Sequence, residues 1–457
     1  MSESRLTNRL QQAFADRQIY LVGGCVRDAM LDRNSGDLDL ATDVRPEEIR
    51  ARIAPWADQV WLVGEKFGTI GLEKDGEKAE ITTFRSDTYD GVSRKPEVAF
   101  GDSIHGDLSR RDFTINAMAR NLHTGELLDP FGGREDLEEK LVRFVGDPAA
   151  RITEDPLRML RAVRFCAELD FELDPIAAAG IAEKAEALRR ISWERVRDEL
   201  DRLLVVPDPR EALRLLISLR LAEIVLPELL QLPLPEPGRH HLKDVLEHTL
   251  DTMAFTPPDK LVRYAALLHD IAKPETFSSN ETGVHFYRHE ELGAERAKLI
   301  LTRLRQPAAF VAQVTEVVRD HLRIPFYTPE WSEAAIRRLI YDLGDHLEAN
   351  LLLADADVRA SDPRDYPEFT ERMAELRRRI EEAGVAQEIA RMKPLLTGEE
   401  VMALLGIAPG PRVGEVLRFL LDQQIEGRIG TREEAEEGVR RGFGAGSAGL
   451  PPASAIG

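Results

Sequence analysis

The periodicity of this chain changes once, and that change constrains its architecture more than any other feature. Up to about Val145, short runs of alternating apolar and polar residues are separated by turns and a few helices. From Pro148 onward helical spacing dominates, as in Pro156 to Leu169 and Val196 to Leu204. A period of two and a period of 3.6 bury different faces. The expected fold is therefore α+β: a small head with a mixed sheet, followed by all-helical regions. At 457 residues the chain exceeds what one core supports, so several domains are expected. Pro207-Asp208-Pro209 and the run Leu232 to Gly238 read as linkers. The expected division is a head over 1–145, a helical neck and linker over 146–238, a second helical domain over 239–384, a third over 385–441 and a flexible tail over 442–457. Thr397 and Glu400 have capping-box spacing near the start of the third helical part.

Composition excludes several classes. No apolar run approaches a membrane span, and Ser2 to Asp16 is polar without a signal-peptide core. The expectation is a cytoplasmic protein with no membrane partner. Cys25 and Cys166 are the only cysteines, too few for a disulfide framework or a Cys-rich zinc site. A formal net charge of −20 argues against a broad nucleic-acid coat but leaves room for a local basic surface.

Leu21 to Thr42 carries the first chemical signal. Ile19 to Val22 reads as a strand, Gly23-Gly24 as a turn, Val26 to Leu31 as a helix and Asp37 to Ala41 as a second strand. Strand alternation puts Asp37 and Asp39 on one face and Leu38 and Leu40 in the core. Neighbouring carboxylates repel unless a cation lies between them, and Mg²⁺ accepts such ligands while leaving positions for phosphates. Gly23 and Gly24 let backbone N–H groups approach a phosphate, and Arg27, followed by Asp28, can add a bidentate clamp. Singly, each of these has a bland reading as a turn or a solvated strand edge.

Together, GG-x-V-R-D and G-D-L-D-L-A-T resemble the class II tRNA nucleotidyltransferase and bacterial poly(A) polymerase family, within the DNA polymerase β-like nucleotidyltransferases. The resemblance implies that Asp37, Asp39 and Glu80 (in AEITTFR) are the catalytic carboxylates, the two aspartates holding Mg²⁺. Asp107 to Ala117, DLSRRDFTINA, is similar to the family's R-R-D-x-x-x-N-A motif, which implies phosphate or ribose contacts from Arg110, Arg111, Asp112 and Asn116. TEDPLRMLR resembles its base-reading E-D-x-x-R motif, and so implicates Glu154, Asp155 and Arg158. Asp155 and Arg158, three apart at a helix start, are expected to share a face. A carboxylate acceptor beside a guanidinium donor fits the Watson–Crick edges of cytosine and adenine and mispairs with guanine and uracil. Glu194 and Arg197 resemble a neck motif that braces this pocket, or are structural.

In the second helical domain, His248, His269-Asp270, His289, His321 and Asp357 resemble the His-Asp (HD) phosphohydrolase signature, with Asp355 a close rival to Asp357. Imidazoles with carboxylates suit a transition metal, and such a centre acts on phosphate esters at RNA ends. The stretch after Pro394 is similar to the family's tail, either touching an RNA phosphate or forming a plain αα-hairpin. The implied reaction is Mg²⁺-dependent, template-independent transfer of CMP and AMP from CTP and ATP to the tRNA 3′ end. GEKFGTIGLE and the polar loop between Arg85 and Asp107 favour a CCA-adding or an A-adding enzyme. A CC-adding enzyme with a partner, a poly(A) polymerase and a mainly hydrolytic protein stay open as alternatives.

Overall fold

The computed structural model describes residues 5–33, 36, 38–63, 68–88, 97–100, 103–234, 244–280, 283–361, 364–384 and 386–444. These belong to two compact units, Met1–Leu230 and Gln231–Gly457.

In the first unit the strands are β1 (Ile19–Val22), β2 (Leu38–Thr42), β3 (Gln59–Val63), β4 (Thr69–Lys74), β5 (Glu77–Thr83), β6 (Arg85–Thr88), β7 (Glu97–Phe100), β8 (Ala119–Asn121) and β9 (Leu127–Leu128). Seven form one sheet in the order β3-β4-β5-β2-β1-β8-β9, while β6 and β7 pair separately. Only β2 and β5 run parallel within that sheet, so it is mixed, as expected. Their register sets Asp39 opposite Glu80 and Leu40 opposite Ile81. Leu40 and Ile81 are fully buried, whereas Asp39 faces solvent and Glu80 is half-buried. Alternation thus sends the aliphatic pair to one face and the acidic pair to the other. On the acidic side, Tyr20, Val22 and Ala41 pack with Phe84, Leu108 and Ala117.

The helical neck includes Pro148–Glu154, Arg158–Leu169, Pro175–Lys184 and Trp193–Leu204. A short parallel pairing of Leu141–Val142 with Glu172–Leu173 ties the end of the head to the neck, a strand contact that periodicity missed. Asp155 does not lie at the start of one continuous helix with Arg158. The proline at 156 excludes the α region for its predecessor, and Asp155 is extended at φ −145°, ψ 98° between two helices.

The second unit is helical apart from the hairpin Phe277–Asn280/Gly283–Phe286. That hairpin escaped the sequence because its polar serines and asparagine show no apolar alternation. Separate hydrophobic clusters form around Ile336, Leu351, Phe369 and Leu376, and around Val401, Val416, Leu420 and Val439. The capping box at Thr397 and Glu400 is present, and Thr431 and Glu434 form another. The last helix runs to Phe443, two residues into the stretch read as a tail; residues 445–457 lie outside the described residues. Among the described residues no helix is long and apolar enough to cross a membrane.

Candidate active sites

A cleft of about 170 Å³ in the first unit is lined by Asp39, Glu80, Arg85, Asp107, Arg110 and Arg111 with Val22, Leu40, Thr69 and Thr82. Three carboxylates and three guanidinium groups thus share one cleft, a pattern suited to a metal-bound triphosphate rather than to a neutral ligand. Asp37, the expected partner of Asp39, lies outside the described residues. Buried Asp107 organises the basic side. Its Oδ1 accepts from Arg110 Nη2 at 3.0 Å and its Oδ2 from Arg111 Nη2 at 3.2 Å. Burial raises the Asp107 carboxyl, but Arg111 and Arg110 outweigh it and hold the group below its ordinary range. Arg111 Nε is buried without a hydrogen-bond partner among the described residues, an orphan donor in a cleft fit for anions. Arg85 and Asp107 were not singled out from sequence, although both adjoin motifs that were.

Gly23 caps the helix Gly24–Met30 at φ 72°, a conformation open mainly to glycine. A Cβ there would sit 2.5 Å from Arg111 Nη1. Gly23→Ala is expected to cost about 1–2 kcal/mol in backbone strain and to push Arg111 out of the cleft. Steady-state kinetics should show the KM for nucleotide raised by about tenfold or more.

Arg27 does not reach out as a free phosphate clamp. It is buried, with Nε donating to Asp28 Oδ1 at 2.8 Å and Nη1 to Asn116 Oδ1 at 2.8 Å. Asn116 Nδ2 donates to Asp112 Oδ1 at 3.2 Å, and Asp112 Oδ2 accepts from Arg161 Nε at 2.8 Å. Arg161 also lies 3.7 Å from Glu199, which binds Arg164 Nε at 2.7 Å. The Phe165 ring sits among Arg27, Arg161 and Arg164, 4.2 Å from the last. These groups form a buried brace joining the two motifs to the neck. Asp112 and Asn116 hold the site's frame through these bonds.

The expected Asp155–Arg158 pair is not formed. Asp155 Oδ2 accepts from Arg195 Nη2 at 2.7 Å, while Arg158 Nη1 donates to Glu154 Oε2 at 2.6 Å and Nη2 to the Arg110 carbonyl at 2.8 Å. The proline break between them separates their side chains. Glu194 is exposed and Arg197 pairs with its neighbour Asp198; Arg195 and Glu199 do the bracing instead. A helical-wheel count from Glu199 would have found the buried face.

In the second unit all six expected HD residues converge: His248, His289, His321 and Asp357 from four helices or their ends, and the adjacent His269 and Asp270 from the end of a fifth. His248 Nε2 lies 2.9 Å from Asp357 Oδ1, and His269 Nε2 3.1 Å from Asp270 Oδ2. His289 Nε2 lies 3.4 Å from Asp270 Oδ1 and 3.2 Å from His321 Nε2. Two ligand sets emerge, His248/His269/Asp357 and Asp270/His289/His321. Asp355 accepts instead from the Tyr366 hydroxyl at 3.2 Å, which settles the choice for Asp357.

The donor set fits a metal. Nδ1 of His269, His289 and His321 lies 2.8, 2.8 and 2.7 Å from the carbonyls of Ala266, Phe286 and Val318. A carbonyl only accepts, so each Nδ1 carries a proton, and each Nε2 presents a lone pair once its ring is neutral. The Nε2 atoms of His289 and His321 then face each other as two acceptors, a repulsion that a shared cation removes. His269 Nε2 is buried and, though 3.1 Å from Asp270 Oδ2, makes no well-aligned hydrogen bond among the described residues.

Burial disfavours the charged form of His269, but Asp270 and Asp357 overcome it and raise its pKa to about 9. A metal must displace that proton. Metal affinity should therefore rise about tenfold per pH unit from neutrality and level off above about pH 9. Calorimetry in buffers of different ionisation enthalpy should count one proton released at neutral pH.

Comparison with known proteins matches this geometry. The poly A polymerase head domain model covers residues 19–143, the model for the probable RNA and SrmB-binding site of polymerase A covers 170–232, and the HD domain model covers 241–359. The A-adding tRNA nucleotidyltransferase of Deinococcus radiodurans is 36% identical over 439 residues, 92% of this chain and 94% of that protein. The CCA-adding enzyme of Bacillus subtilis is 40% identical over 255 residues, which span 56% of this chain and 60% of that enzyme. The CCA-adding enzyme of Bacillus stearothermophilus in complex with CTP shares the fold at a TM-score of 0.70 and 27% identity, over 96% of each chain. With near full-length similarity joined to the cleft and the histidine–aspartate cluster, the chain belongs to the tRNA nucleotidyltransferase and poly(A) polymerase family, in the branch that carries an HD domain.

Proposed function

We propose that this protein is a template-independent CCA-adding tRNA nucleotidyltransferase of the cytoplasm, joining CMP and AMP from CTP and ATP to the tRNA 3′ end. The observation that carries this reading is the placement of Asp39 opposite Glu80, facing Arg85, Arg110 and Arg111 across one cleft. Asp39, Glu80 and, from the sequence, Asp37 would hold Mg²⁺, which when bound neutralises phosphate charge and lowers the barrier to hydroxyl attack. Arg110 and Arg111, splinted by Asp107, orient the triphosphate oxygens so that attack on the α-phosphorus is in line with departing pyrophosphate.

Arg158 supplies one half of base choice. Its bonds to Glu154 and to the Arg151 and Arg110 carbonyls hold the Nη groups and leave the Nε edge for a base acceptor. Asp155, steadied by Arg195, supplies the acceptor for an exocyclic amine. The division of labour follows: residues 1–145 perform transfer, the neck reads the base, and the helical parts beyond recognise tRNA by shape and backbone, as suits A-form RNA.

The reading is tested by offering tRNA lacking CCA, or lacking only the terminal A, with each labelled nucleotide. CMP incorporation on the first substrate supports CCA addition. AMP incorporation on the second alone establishes the A-adding activity, which the full-length likeness to the Deinococcus enzyme favours as the second reading. Use of GTP and UTP as readily as CTP and ATP refutes both.

The six-residue cluster supports a hydrolytic activity beside transfer. Its imidazoles and carboxylates would hold a transition metal, which supplies activated water when bound. His269, His289 and His321 stay fixed by their Nδ1–carbonyl bonds, and buried Lys273, 2.8 Å from Asp270, adds a positive charge for a phosphate. The substrate class is a phosphate ester at an RNA end. Full chelation should abolish this hydrolysis, with activity restored by added metal.

A further inference from the structure

Three neck side chains close on two consecutive carbonyls of the head. Arg151 Nη1 donates to the Ser109 carbonyl at 2.9 Å, and Arg158 Nη2 to the Arg110 carbonyl at 2.8 Å. Between them stands Glu154, whose Oε1 accepts from Arg151 Nη2 at 2.5 Å and whose Oε2 accepts from Arg158 Nη1 at 2.6 Å. Arg158 Nη1 also donates to the Arg151 carbonyl at 3.0 Å, a second tie between the two arginines. The side chains of Arg151, Glu154 and Arg158 are 18%, 17% and 12% exposed, which removes most of the screening that weakens surface pairs.

The two carbonyls end the head helix Ile104–Ser109, where a helix leaves its last acceptors without internal donors. Cationic donors at that end suit both the orphan oxygens and the helix dipole. The same helix carries Asp107, which splints Arg110 and Arg111 in the cleft. Arg110 is thus held twice. Asp107 holds its side chain on the triphosphate side, and Arg158, whose Nε edge is left for a base, holds its backbone. Guanine sets an N–H against that guanidinium, and relief requires Arg158 to withdraw. Withdrawal either pulls the Arg110 carbonyl along or breaks a charge-assisted bond. A wrong base therefore disturbs an arginine of the phosphate cleft. Arg151 acts through Glu154 and the Ser109 carbonyl, stiffening the link between the two.

We propose that Arg151 is a positioning residue that couples recognition of the base to alignment of the triphosphate, so that a mispaired nucleotide loses phosphate contacts as well as base contacts. The proposal rests on the transferase reading and adds to it how the choice of base reaches the reacting phosphate.

The test uses the full-length, Mg²⁺-loaded protein without acceptor RNA, with calorimetric binding of ATP, AMP, GTP and GMP. Adenine is the right base for CCA addition and for A addition alike. In the parent, the β- and γ-phosphates should strengthen binding of the adenine nucleotide about tenfold more than that of the guanine nucleotide, an ordinary coupling between two sites. Arg151→Met should bring the two gains together, and Arg151→Lys, which keeps one charged donor, should restore part of the difference. A merely structural residue would weaken all four nucleotides alike. On tRNA lacking the terminal A, Arg151→Met should lower kcat for ATP about 10- to 100-fold and change kcat for GTP less than about twofold, as misplacement of the phosphates predicts. Equal gains in the parent, or a difference that survives Arg151→Met, overturn the coupling even where incorporation proceeds. Where Arg151→Met does not fold, Arg151→Lys alone decides: a reduced difference upholds the coupling and an unchanged one overturns it. A parent that shows the difference, loses it in the variant and incorporates no nucleotide upholds the coupling and sinks the transferase reading. A parent that binds neither triphosphate sinks both.

Discussion

Asp39→Ala is expected to reduce nucleotide incorporation by about a thousandfold or more, with hydrolysis at the histidine–aspartate cluster unchanged. Asp39 sits on β2 directly opposite Glu80 of β5 and lines the cleft with Arg110 and Arg111. Removing it strips a hard ligand from a cleft that also holds Arg85, Arg110 and Arg111. The triphosphate then keeps its cationic contacts but loses the cation that sets its geometry. Each 1.36 kcal/mol is a factor of ten, so about 4 kcal/mol of lost transition-state stabilisation corresponds to that thousandfold. The change leaves the sheet intact, because Asp39 is exposed while Leu40 carries the burial. Single-turnover incorporation and hydrolysis, read on the same preparation, check both halves. Parallel loss of the two activities would contradict the assignment of two centres to two units.

Glu199→Ala carries the largest expected stability effect. Glu199 and Arg164 are joined at 2.7 Å with side chains each 7% exposed, and Arg161 lies 3.7 Å away. Truncating the carboxylate takes from Arg164 its buried partner and leaves it only Glu168, 2.5 Å away and partly exposed, a loss of about 1.5–3 kcal/mol. In a unit of this size that lowers the melting temperature by roughly 3–12 °C, measurable by calorimetry on the full chain. Glu199→Gln keeps a hydrogen-bond acceptor and should recover part of the loss. The brace also reaches Asp112 and Asn116 through Arg161, so incorporation should fall even below the transition. A variant as stable as the parent would show that the brace is no more than a screened surface pair.

The two centres differed in how far local pattern revealed them. The HD residues were singled out through the His-Asp signature they resemble, with Asp355 a close rival to Asp357, and the fold brings the six together. In the head, strand alternation placed Asp39, Gly23 was read as a turn, and Glu80 came from the resemblance of AEITTFR to the family's strand. Arg27, Asp112 and Asn116 were recognised as a set, yet their partners were not. Their bonds run to Arg161 and Glu199, far along the chain, and no local period encodes which ion pairs close in space. Glu194 and Arg197 were read either as a brace resembling the family's neck motif or as structural, and on the same helix it is Arg195 and Glu199 that make the ion pairs to Asp155 and Arg164. The difference is rotation about one helix axis, decided by what that helix packs against.

By itself the sequence determined where strands give way to helices, which residue types could hold cations and phosphates, and the capping box at Thr397. Those are short-range matters of periodicity, backbone freedom and side-chain chemistry. Only the tertiary structure decided that Asp155 pairs with Arg195 rather than Arg158, and that Arg27 braces instead of clamping. Burial and charge pairing are properties of the assembled neighbourhood: a guanidinium binds whichever carboxylate folding brings within about 3 Å.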